Sequence, residues 1–263
     1  MSETYTCPGC GGVSDFSAGR CPYCQNPFAP ALGSSIGLSK DDASVRKLAA
    51  QLEAKIAKSP NDGNSCYALG EAYHHLGDYK KAQEQLQRAA QLLPNKAEVF
   101  YLLAWNSGMK QGWESVTVAE NARKALALNP EFPQAEALLH LSKGVQSYLF
   151  QRSDLDHLDA ALNEFRRVIE LDPRNTYGYY YAASVYEMAD EMDHALECFE
   201  KAAELSTDDI APSKEDARIF ARAGFLYYKL GQRAPAKKFL TDARNLDPDN
   251  SAVQEILSSL SDD

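Results

Sequence analysis

The feature that most constrains this chain is that it repeats itself at a distance of 154 residues. Leu69-Gly70 and Tyr73, followed by Ala82, Leu86, Ala89 and Pro94, return as Ala223-Gly224, Tyr227, Ala236, Leu240, Ala243 and Pro248. The intervening Leu76-Gly77 returns as Leu230-Gly231. A third copy reads Ala182-Ala183, Tyr186, Ala195, Phe199 and Ala202, with Thr207 in the proline's place. Small residues at fixed columns let paired helices approach closely, and Leu69, Tyr73, Leu86, Phe199 and Leu240 supply the apolar surface between them. Each proline follows a helix that it cannot continue. One such unit cannot bury its faces alone, so stability must come from stacking. The expected fold is all-α, and no segment shows sustained strand-like alternation.

The spacing of the prolines sets the unit. Pro60 to Pro94 spans 34 residues, Pro94 to Pro130 spans 36 and Pro130 to Pro173 spans 43. The pattern resembles the tetratricopeptide repeat, a helix–turn–helix of 34 residues. It implies a solenoid of about five helical hairpins, beginning near Gly63, Ala97, Pro133, Thr176 and Ala217. A helix over Ser44–Ser59 precedes them, and a capping helix over Ser251–Leu260 follows. Repeat two departs from the pattern at Ser107, where the others have tyrosine, and residues 206–215 lengthen a connection.

Residues 1–28 are different in kind. Cys7-Pro-Gly-Cys10 and Cys21-Pro-Tyr-Cys24 form two C-x-x-C pairs separated by ten residues. Four thiolates at that spacing can close one tetrahedral zinc site of the structural type, with no open position for catalysis. So short a segment cannot bury an adequate core, and structural zinc contributes roughly 10–16 kcal/mol in small peptides. Residues 11, 12 and 26 (Gly, Gly, Asn) suit the tight turns from which amides point at the sulfurs. The segment resembles the short N-terminal zinc ribbons of many prokaryotic proteins. Iron bound in rubredoxin style is the competing reading. The segment 29–40, APALGSSIGLSK, reads as a flexible linker, so the expected organisation is a knuckle over 1–28, a linker over 29–40 and a solenoid over 41–263.

The formal charge of −10 repels phosphate backbones and anionic bilayers, which disfavours nucleic acid and membrane surfaces as partners. The zinc ribbon itself has only Arg20 as a cation. No apolar run approaches the roughly 20 residues that span a bilayer. The N-terminus lacks the basic and apolar regions of a signal peptide. The expected location is the cytoplasm, whose reducing chemistry keeps the cysteines free to hold metal.

No phosphate-cradling glycine loop and no nucleophile motif occurs. Glu71–His74 and Glu191–His194 match E-x-x-H but read as surface residues too far apart to share a metal. Cys66 and Cys198 fall at core or near-core columns and read as buried thiols. The chain is therefore expected not to be an enzyme.

In tetratricopeptide arrays the first helix of each hairpin lines the concave face. The resemblance places Tyr67, Tyr101, Trp105, Tyr177, Tyr180, Phe225 and Tyr228 along that face. Rings of this kind are favoured at protein interfaces. Glu71, Glu98 and Glu187 on the same side point to a partner segment that carries Lys or Arg. The lysine and asparagine clamp with which one subclass grips chaperone tails is absent, since Tyr67, Glu71, Glu98 and Leu102 stand at its positions. The reading that results is a scaffold or adaptor holding a protein segment, with one structural zinc ion. The alternatives are a regulatory or electron-transfer protein acting through its metal knuckle, and a ribosome- or nucleic-acid-associated factor.

Overall fold

The structure is a computed structural model that describes residues 5–6, 13–14, 42–150, 155–208 and 216–260. The cysteines of the expected knuckle and the linker lie outside the described residues. What is described ahead of the helices is a two-stranded antiparallel ribbon, β1 (Tyr5–Thr6) and β2 (Val13–Ser14), with Tyr5 opposite Ser14 and Thr6 opposite Val13.

Twelve helices follow among the described residues: α1 (Asp42–Lys58), α2 (Gly63–His75), α3 (Tyr79–Leu92), α4 (Ala97–Gln111), α5 (Val116–Leu128), α6 (Pro133–Phe150), α7 (Leu155–Leu171), α8 (Thr176–Met188), α9 (Met192–Asp208), α10 (Ala217–Lys229), α11 (Arg233–Leu246) and α12 (Ser251–Ser259). They make five hairpins, α2–α3 through α10–α11, flanked by α1 and α12, in an all-helical solenoid. Each helix packs chiefly on its neighbours in the chain, as a stacked array requires. All five first helices begin at the residues that the repeat spacing singles out.

The small-residue columns are where hairpins close. A Cβ added to Gly70 would lie 2.6 Å from Leu86 Cγ, and one added to Gly224 would lie 2.6 Å from Leu240 Cγ. Leu86 and Leu240 are fully buried, so neither can move aside without opening the core. Several helices enter through side-chain caps. Asp62, Asn175 and Asn250 accept hydrogen bonds from the amides of Ser65, Gly178 and Val253 at 3.1, 3.1 and 3.2 Å. The hydroxyl and amide of Ser65, joined by the Lys55 ammonium, hold the Asp62 carboxyl well below the usual carboxylate range.

Neighbouring repeats are tied by one recurring contact. Tyr73 donates its hydroxyl to Glu53 of α1, and Tyr227 donates to Glu200 of α9. At the equivalent place Arg166 of α7 donates to Tyr186, at 3.1 Å. These partners and burial push the Tyr73 and Tyr227 hydroxyls up to about 12, with desolvation the larger cause. The tie to Glu53 gives α1 the role of a second helix toward α2. In repeat two the tyrosine is Ser107, which bonds back to the Leu103 carbonyl at 2.7 Å. Asn106, one residue earlier and wholly buried, replaces it. Its Nδ2 donates to the Tyr79 carbonyl at 3.1 Å and Gln83 Oε1 at 2.8 Å, and its Oδ1 meets His74 Nδ1 at 3.2 Å.

The first helices α2, α8 and α10 end on a left-handed residue. Gly77 and Gly231 adopt φ of 72° and 73°, and the next amide closes onto the carbonyl five residues back, at 2.9 Å in both cases. Repeat four makes the same turn with Asp190, at φ 63°, where a side chain is strained. Replacing it should therefore stabilise the fold. Asp190→Gly is expected to raise the unfolding free energy by about 1 kcal/mol, measured by urea denaturation, with Gly77→Ala moving the opposite way.

Candidate partner-binding face

The inner face is built from the first helices α2, α4, α6, α8 and α10, and the structure divides the expected row of rings into three groups. Tyr67 and Tyr177 are core rather than surface, at 9% and 8% exposure. The Lys96 ammonium lies over the Tyr67 ring, 4.4 Å from its centre. Tyr101, Trp105, Tyr180 and Phe225 are half-buried. Tyr228 alone is exposed, at 40%.

The burial has a geometric cause at the middle of the array. Trp105 of α4 meets Trp113 at 5.1 Å between ring centres and Tyr177 at 6.2 Å. Trp113 and Tyr177 are 4.8 Å apart, and the Tyr177 hydroxyl reaches Met109 Sδ at 3.1 Å. Tyr177 belongs to repeat four, whereas Met109 and Trp113 belong to repeat two. The solenoid is wound so tightly here that α8 closes on α4 across the intervening hairpin, and the inner face is filled by its own rings. Tyr101 joins this block through Trp105, at 6.4 Å, and also meets Phe132, at 5.0 Å. Burial, more than the nearby Asp172 carboxylate, drives the Tyr101 hydroxyl far above its ordinary value.

The carboxylates are redistributed as well. Glu71 is 3% exposed, and Glu187 pairs with Arg222 at 2.5 Å. Of the three that pointed to a basic partner, only Glu98 is exposed. Burial therefore corrects the surface reading of Glu71–His74: the His74 ring is lowered to about 4, mainly by desolvation. Glu191 and His194 are exposed and pair with each other at 2.9 Å. Cys66 is buried and Cys198 half-buried, and burial pushes both thiols up, Cys198 to about 11. That direction suits packed thiols and opposes nucleophiles.

What stays open lies beyond the central block, on α6, α8 and α10. Tyr148 and Tyr181 have ring centres 6.1 Å apart, Tyr181 and Tyr180 5.1 Å, and Tyr180 and Phe199 5.9 Å. Beside them α10 carries Arg218, Arg222 and Lys229 with no acidic residue. Tyr148, Tyr181, Arg218 and Arg222 were not among the residues expected from sequence. A usable signal existed, because residues 217–246 hold seven of the chain's 27 Lys and Arg but one of its 37 Asp and Glu. Among the described residues no group of three metal-ligating side chains gathers, and no helix is long and apolar enough to cross a membrane.

Comparison with known proteins agrees with this architecture. Residues 63–96 and 217–250 each match a family model described as tetratricopeptide repeat. These are the α2–α3 and α10–α11 hairpins with their closing turns, and the chain carries tetratricopeptide repeats. It is 26% identical over 188 residues to anaphase-promoting complex subunit 3 of Schizosaccharomyces pombe, covering 70% of this chain and 25% of that protein. Protein bimA of Emericella nidulans is 24% identical over 188 residues, with coverage of 70% and 21%. The chain thus spans a quarter or less of the length of these relatives. Among solved structures it is similar to the Cut9–Hcn1 hetero-tetramer of APC/C, with a TM-score of 0.63, 16% identity and coverage of 87% and 41%. It is also similar to TTC0263, a thermophilic tetratricopeptide-repeat protein of Thermus thermophilus, with a TM-score of 0.52, 22% identity and coverage of 75% and 98%.

The central ring block yields a direct test. If Trp105 closes the solenoid rather than greeting a partner, Trp105→Ala should cost about 3 kcal/mol in urea unfolding. An unchanged midpoint would return Trp105 to the open face.

Proposed function

We propose that the protein is a non-enzymatic scaffold that holds a segment of a protein partner on the inner face of its C-terminal hairpins. The observation that carries this reading is the run of half-buried rings Tyr148, Tyr181 and Tyr180 on α6 and α8, followed by the exposed Tyr228 and Arg218 of α10, beyond the point where the solenoid closes on itself. Large rings with polar tips bury much area at little entropic cost, which suits recognition of another chain. Subunits of multiprotein assemblies among the similar proteins support the same reading. Phe225 is half-buried against the C-terminal core and serves as the floor of this surface.

Substituting Tyr148→Ala with Tyr228→Ala should remove a partner's anchors while sparing the buried core. The expected result is retained helicity, with loss of the same co-purifying proteins that the parent recovers at measured stoichiometry. Truncating a central aromatic anchor costs about 2 kcal/mol or more in binding. Unchanged recovery would move the interface off this face.

The second element of the proposal is a structural zinc ion on Cys7, Cys10, Cys21 and Cys24. The donor set supports it: four soft thiolates match a closed tetrahedral zinc site and leave no position for substrate. In the sequence, the strands β1 and β2 stand on either side of the first C-x-x-C pair. A reducing compartment such as the cytoplasm would keep these thiols available. Protein purified without added metal should carry about one equivalent of zinc by elemental analysis. Cys21→Ser should release it while far-ultraviolet circular dichroism stays nearly unchanged. Stoichiometric iron with a visible absorption band would instead favour the electron-transfer reading.

A further inference from the structure

The charge of this molecule is not spread evenly: the fifth hairpin is its cationic end, and three of that hairpin's seven cations lie on α10, the helix that contributes to the proposed binding face. Residues 217–246, which are the α10–α11 hairpin, contain Arg218, Arg222, Lys229, Arg233, Lys237, Lys238 and Arg244 against Asp242 alone. The fifth hairpin is strongly cationic in a chain of net charge −10. On α10, Arg222 is committed: it pairs with Glu187 and lies over the Phe199 ring at 5.8 Å. Arg218, one turn earlier, is exposed and has no ion pair among the described residues. Arg222 lies over Phe199, whose ring centre is 5.9 Å from that of Tyr180, and Arg218 is one turn away on the same helix; burial raises the Tyr180 and Tyr181 hydroxyls, and the Arg218 charge opposes that rise.

We infer that this end of the inner face recognises an acidic segment of the partner protein, with Arg218 as the principal cation and the Tyr180 and Tyr181 hydroxyls as flanking donors. The inference rests on the scaffold reading above and supplies the partner's chemistry. It replaces the basic partner segment that the carboxylates suggested, because two of those three are buried or already paired. A guanidinium next to phenolic hydroxyls offers several donors to carboxylate oxygens, and such charge-assisted bonds are the strong ones. The rings supply apolar contact for the residues between the acids.

Nucleic acid fits less well. A phosphate backbone spreads its charge over a wide footprint. The helix that precedes α10 and packs against it is α9, which carries Asp193, Glu197, Glu200 and Glu204 against one lysine. Those carboxylates repel a polyanion that extends past the inner face, and they leave room for a short acidic stretch of polypeptide.

The test uses the full chain and fluorescence anisotropy with three labelled probes: a peptide of alternating glutamate and leucine, its lysine counterpart, and single-stranded oligothymidylate. The acidic peptide is expected to bind best, and Arg218→Glu to weaken it about tenfold or more at an unchanged unfolding midpoint. Lys237→Glu with Lys238→Glu, on α11, should have a much smaller effect. Equal losses from the two variants would mean diffuse attraction and overturn the assignment, as would tighter binding of oligothymidylate or no preference for the acidic peptide. If the acidic peptide fails while Tyr148→Ala with Tyr228→Ala still loses the native partners, the binding face stands and its charge preference falls.

Discussion

Everything in this fold depends on how closely two helices of one hairpin can approach. At Gly70 and Gly224 there is no room even for a methyl group, and the leucines opposite are fully buried. That contact fixes the spacing within a hairpin, and the hairpin then exposes two flanks that only another hairpin can cover. The tyrosine ties from Tyr73, Tyr186 and Tyr227 to the preceding helix set the rotation between units. Repeat two reaches the same end with a different group. Asn106 spans α2, α3 and α4 and offsets the loss of the ring at Ser107. Its neighbour His74 is kept uncharged by the burial that this network requires.

The hairpin starts were legible because local chemistry marks most of them: a proline after most second helices, a side-chain cap at several entries and a small residue where paired helices cross. Those features act within about 34 residues. The fate of the inner rings was not legible, because it depends on superhelical winding, which is a property of several repeats together. The longer units between Pro94 and Pro173 change that winding, and Tyr177 is carried onto Met109 and Trp113. Column position alone places Tyr177 and Tyr180 on one face, yet the first ring closes the solenoid and the second remains partly open. The basic character of the fifth hairpin was present in the sequence, but a whole-chain charge of −10 averages it away.

The closure between α4 and α8 also gives the inner face its polarity. On one side lie Tyr67 and Glu71, both buried. On the other, α6, α8 and α10 present rings and a cation to solvent. The central block of Trp105, Trp113 and Tyr177 is apolar and tightly packed, so it resists opening and holds the C-terminal face in one shape. A rigid surface loses little conformational entropy on binding, which favours affinity from a modest contact area.

Placing an acidic helix directly beside a basic one then does more than balance charge. Attraction at Arg218 draws in a carboxylate-rich segment, while Glu197 and Glu204 on α9 penalise any ligand whose negative charge continues outward. Discrimination of this kind comes from the repulsive term as much as from the attractive one. It also acts over a short range, since exposed charges are screened beyond about 8 Å at physiological salt. A ligand must therefore bring its acidic residues onto the inner face itself to gain from Arg218, and there the tyrosine rings decide what may lie between them.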